Sequence, residues 1–140
     1  MRKYAHLKPN GFVYCISENY DEITASYTVV EITDIEVEPN EVLRSIFTSG
    51  TFAKLEISFP TLVKKGEPVS IEMKWVDIIS GRFIALSKSV VVSSDLGNVE
   101  IEMEDGNGLF SFVWPDALER LQLTWLVDAD VIASYIIEAQ

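Results

Sequence analysis

The chain has 140 residues, 48% of them apolar, and its 22 carboxylates against 11 lysines and arginines leave a net charge of −11. That is the length of one domain, or of one domain with a small appendage, and it is apolar enough to bury a core. The charge excludes a phosphate-neutralising basic face, so neither nucleic acid nor an anionic membrane surface is an expected partner.

In chain order, Met1-Arg2-Lys3 resembles the basic start of an export signal. The next residues, Tyr4 to Gly11, are too polar for its apolar segment, so no signal peptide is expected. Pro9-Asn10-Gly11 separates a strand Tyr4–Leu7 from a strand Phe12–Ser17 and reads as a hairpin turn. His6, the single histidine, falls on the first of these strands and reads as a strand-edge residue. Any site needing two imidazoles is thereby excluded, and a nucleophile–His arrangement would depend on His6 alone. Cys15, the single cysteine, allows no internal disulfide; inside Phe12–Ile16 it reads as a small apolar residue rather than a reactive thiol. A third strand, Tyr27–Ile32, leads into the acidic stretch Asp34–Glu38, and Pro39 to Arg44 can form a helical turn or two.

From residue 51 the period is two. Thr51–Ser58 follows Ser45–Thr48 across Ser49-Gly50, and Leu55 and Ile57 mark its inner face. In Val69–Ile79 the inner face is Val69, Ile71, Met73 and Trp75; Ser80-Gly81 then predicts a hairpin to Arg82–Leu86. Ser89–Ser93, Val99–Glu104 with Ile101 inward, and Leu109–Trp114 with Phe110 and Phe112 inward read as a meander through turns at residues 95–98 and 105–108. Pro115–Arg120 is a second candidate helical turn. Leu121–Val127, carrying Trp125, and Val131–Glu138 are joined at Asp128-Ala129-Asp130.

These short alternating strands predict an all-β chain: an antiparallel β-sandwich of immunoglobulin-like arrangement over residues 53–140, preceded by a small β-hairpin module over residues 1–52. Leu55, Ile57, Ile71, Trp75, Ile101, Phe110, Phe112 and Trp125 are its expected core. Trp75, Trp114 and Trp125 would suit a sugar-binding platform if they faced outward, but their phase puts them inside. The segment Val131–Ile137 is apolar on both faces, so it is expected to be central in its sheet or covered by another chain.

Carboxylates are plentiful but unpatterned. Glu100, Glu102 and Glu104 read as a solvated strand face, and Asp105/Asn107 and Asp128/Asp130 as turn residues rather than calcium ligands. No catalytic residue, metal or cofactor is expected. Phe12, Tyr14 and Ile16 near the start, and Val131, Tyr135 and Ile137 near the end, are the candidate interface residues: too apolar to stay wet and too many for one small core.

The first fifty residues resemble a small module that opens many tailed-bacteriophage structural proteins, among them tail-fibre, tail-fibre-assembly and minor tail proteins. The likeness is carried by Tyr4–Leu7, the turn Lys8–Gly11, the strand Phe12–Glu18, and Val29-Val30-Glu31-Ile32. The acidic residues Asp34 to Pro39, the turn Glu41-Val42-Leu43, and Phe47-Thr48-Ser49-Gly50-Thr51-Phe52 complete it. Where the module usually carries Gly-Lys after the leucine turn, this chain has Arg44-Ser45. The resemblance implies a virion protein made in the host bacterial cytoplasm. It would be non-enzymatic and would dock on other virion structural proteins, as a homo-oligomer or in a symmetric assembly. The alternatives are a β-sandwich that binds a host-surface glycan and a tail-fibre assembly chaperone.

Overall fold

The computed structural model describes residues 2–18, 28–36 and 38–140. It is nearly all β, with antiparallel sheets and a sandwich-like build. The strands are β1 (Tyr4–Leu7), β2 (Val13–Ser17), β3 (Val29–Glu31), β4 (Ile46–Thr48), β5 (Thr51–Ser58) and β6 (Pro68–Asp77). They continue with β7 (Val90–Ser94), β8 (Gly97–Ile101), β9 (Asn107–Val113), β10 (Arg120–Val127) and β11 (Asp130–Glu138). The single helix among the described residues, α1 (Pro39–Val42), is opened by its proline as expected. Tyr27, the expected start of the third strand, lies outside the described residues.

The chain divides into two compact units. The first is Met1–Lys54 with Val76–Arg82; the second is Leu55–Trp75 with Phe83–Gln140. The expected division at residue 52 did not include the return of Val76–Arg82 to the first unit. That return has a local cause: the Ile78 amide donates to the Phe52 carbonyl at 3.1 Å, and the Ile78 side chain packs on the first unit's core.

In the first unit β1 is the central strand, in the order β2-β1-β3. Ala5, Leu7, Val13, Ile32, Val42 and Phe52 form a buried cluster, on which Ile16, Val30 and Phe47 also pack. Gly11 shows how tightly the turn sits: its φ is +90°, its carbonyl accepts from the Phe47 amide at 2.8 Å, and a Cβ there would run into the Phe47 carbonyl. Arg44 has φ +69°, a conformation that disfavours any side chain.

In the second unit two sheets face each other. One follows the order β11-β10-β7-β8; the other includes β5, β6 and β9 in the order β4-β5-β6-β9. The buried Trp125 indole on β10 reaches across to donate to Met73 Sδ on β6 at 2.9 Å. Trp75, Trp114 and Trp125 are all at most 1% exposed. Trp114 Nε1 donates to the Leu118 carbonyl at 2.7 Å, so its polar atom is satisfied inside the protein.

Two expected pairings are corrected, the second only in its extent. β8 pairs with β7, but β9 pairs with β6 in the opposite sheet, so the chain crosses between sheets where a meander was expected. The crossing is turned at Asp105-Gly106, both at positive φ, and pinned by the Trp75 amide on the Gly106 carbonyl at 3.0 Å. Ser80-Gly81 does turn the chain back, with the Asp77 amide on the Arg82 carbonyl at 2.8 Å and the Ile84 amide on the Trp75 carbonyl at 2.9 Å. The pairing stops there: Leu86 bonds back to Ile84 in a three-residue turn and Arg82–Leu86 forms no strand. Pro115–Arg120 makes one turn, Leu118 to Pro115, rather than a helix.

Candidate functional site

Of the expected core, Leu55, Ile71, Trp75, Phe110 and Trp125 are buried, whereas Ile57, Ile101 and Phe112 are half-buried. Alternation places all eight on inner faces, and those nearer an edge or a strand end keep partial access to solvent.

The candidate interface residues at the start of the chain are taken up by their own unit. Phe12 is 7% exposed, bridges Ile46, and lies under the Lys8 ammonium at 5.5 Å from its ring centre. Tyr14 and Ile16 are half-buried; Tyr14 lies 6.3 Å from the His6 ring, and Ile16 packs on the core cluster. Phe12 is therefore corrected from an interface residue to a core one, buried just before β2 where it bridges Ile46 and lies beneath Lys8.

His6 is corrected from a strand edge to the central strand, where it is 1% exposed. Its Nε2 shares a hydrogen bond of 2.6 Å with Ser17 Oγ, and burial pushes its pKa below the ordinary value. A ring enclosed in this way is a poor general base for an outside substrate.

The acidic residues separate into turns and a cleft. Asp128-Ala129 form a two-residue hairpin turn with φ of +49° and +71°, joining β10 to β11. Asp105 likewise occupies a turn, at φ +49°. Among the described residues no group of three or more His, Cys, Asp or Glu is placed to hold a metal ion. Glu56, Glu72, Glu102 and Glu104 line an open cleft of about 530 Å³ with Lys74, which pairs with Glu56 at 3.4 Å. Asp77 is held below the usual carboxylate range chiefly by the Ile79 amide at 2.9 Å, which makes it the anchor of the loop after β6.

The remaining feature is the end of the chain. β11 is an edge strand, paired with β10 from Arg120↔Glu138 to Val127↔Asp130, with a bulge opposite Trp125/Leu126. Of the two expectations for this apolar segment, central or covered, the first is corrected. Val131, Tyr135 and Ile136 are 40%, 47% and 62% exposed, and Ile137 is half-buried. The Tyr135 ring stands edge-on to Phe59 at 5.2 Å and to Trp125 at 5.9 Å. Periodicity identifies which residues of a strand share a face; it does not identify the strand's neighbour, which is why this edge was not legible beforehand.

No family model matches the chain, and a comparison with curated proteins found no similar one.

Proposed function

We propose that this chain is a non-enzymatic structural protein that works by docking on other proteins, as a component of a tailed-bacteriophage particle. The observation that carries the docking reading is β11: a nine-residue apolar edge strand, uncharged from Val131 to Ile137, with three large side chains in solvent. Exposed edges of this kind are ordinarily blunted by lysine, proline or shortness, because they template pairing with another chain. The phage assignment rests on the resemblance of the first fifty residues. Repetition on a particle would let weak single contacts suffice through avidity.

The glycan alternative gains nothing from the tryptophans, since all three are buried. The test is light scattering of the full chain, alone and mixed with each protein encoded beside it. A complex with one of them is the expected result. A strict monomer that binds none of them would overturn the proposal.

A further inference from the structure

We infer that the outer edge of β11 receives an extended segment of a different protein as an added strand, and that this segment is apolar in its middle and basic at its ends. This rests on the docking reading and specifies its element and partner chemistry. β10 pairs with β11 on one flank along its whole length, and no strand among the described residues pairs with the other flank. A strand joining there gains main-chain hydrogen bonds along an edge of nine residues. The edge of the same sheet at β8 is different: five residues, opened by Gly97 and carrying Glu100.

Side chains on both faces of the edge would be covered. Ile136, opposite Gln122, and Ser134, which bonds Gln122 Nε2 at 3.2 Å, lie on the outer face. Tyr135, opposite the buried Leu123, lies on the inner face against Phe59. An added strand alternating apolar residues would therefore meet Ile136 on one side and Tyr135 on the other.

Charge selects against a second copy as the occupant. Self-pairing of β11 about Ser134 would set Asp130 opposite Glu138 at both ends, and like charges directly opposite are destabilising. It would also bring together two molecules of charge −11. Cations do lie close by: Lys88 bonds Asp128 at 2.9 Å, Arg120 lies opposite Glu138 within the sheet, and Lys65 shares a hollow with Glu119 and Glu138, yet the chain as a whole carries −11. Lysine or arginine flanking the incoming strand would be drawn to a chain of net charge −11, which steers encounter.

The probe is a synthetic peptide as long as β11, alternating valine and threonine between lysines, titrated into the full isotope-labelled chain and followed by backbone amide resonances. The expected result is saturable shifts and slowed exchange at β11 amides. Affinity should fall about tenfold or more, some 1.4 kcal/mol, for the glutamate-flanked peptide. Ile136→Lys, at a position already in solvent, should weaken binding by a similar factor without moving the melting temperature, whereas Leu109→Lys on β9 should leave it unchanged. No binding, shifts mapping elsewhere, equal affinity for both peptides, or self-association that Ile136→Lys abolishes would overturn the inference. The two readings separate cleanly. If the chain binds a neighbouring protein and Ile136→Lys binds it equally, the edge is wrong and docking stands. If it binds none, docking falls while the peptide titration still judges the edge.

Discussion

Replacing Trp125 by alanine tests the sandwich itself. The side chain is fully buried, its indole N–H lies 2.9 Å from Met73 Sδ on the facing sheet, and the rings of Phe59 and Tyr135 stand edge-on at 6.0 and 5.9 Å. A tryptophan of this kind removes about 150–250 Å² from water, worth roughly 4–6 kcal/mol at about 25 cal/mol per Å². Alanine keeps a little of that, and measured truncations of large buried aromatics cost about 3–5 kcal/mol. With a urea slope of about 1.5–2 kcal/mol per molar for a chain of this size, a loss of about 4 kcal/mol lowers the midpoint by roughly 2–2.7 M. Trp125→Phe keeps most of the ring and loses the N–H contact, so it should cost about 1–2 kcal/mol. Urea titration followed by circular dichroism measures both. A Trp125→Ala variant destabilised by less than about 1 kcal/mol would refute the two-sheet packing on which the second unit is built.

Three further outcomes are expected. Arg44→Gly and Ala129→Gly should each stabilise by about 1 kcal/mol, because both positions hold positive φ, at +69° and +71°; thermal melts check this. Gly106→Ala should destabilise by more than about 2 kcal/mol, since φ is +86° and a Cβ would run into the Ile84 carbonyl; a urea midpoint within error of the parent would contradict it. His6 is buried with its pKa depressed, so the unfolded chain binds its proton first. Its contribution is full above the ordinary value of 6.5 and diminishes as pH falls below it, and the His6→Gln variant should lose that slope in denaturation series from pH 7.5 to about 5. The Asp77 carboxyl is lowered too, here because its charged form is held by hydrogen bonds, and its contribution is lost only on acidification past 3.8, so the two slopes are separable.

The strands with one wet face were legible because alternation and turn residues are local. Ile71, Met73 and Trp75 on β6, and Leu121, Leu123 and Trp125 on β10, sit inside as their phase demands. The turns at Ser49-Gly50 and Asp128-Ala129 hold two residues at positive φ each. Neighbours in a sheet were not legible, because pairing is settled by distant chain. β9 leaves β8 for β6; His6 sits at a sheet centre because β3 comes back beside β1; and Val76–Arg82 is drawn to the first unit by Phe52. The same limit hid the position of β11, whose two apolar faces suit a central strand and an unfilled edge equally.

Membership of a phage particle is tested by quantitative mass spectrometry of particles purified from the strain that encodes this chain. The protein should be present in purified particles at a fixed, repeated copy number relative to their major proteins. Its absence from intact particles, with the protein recovered only in the soluble fraction, would contradict it.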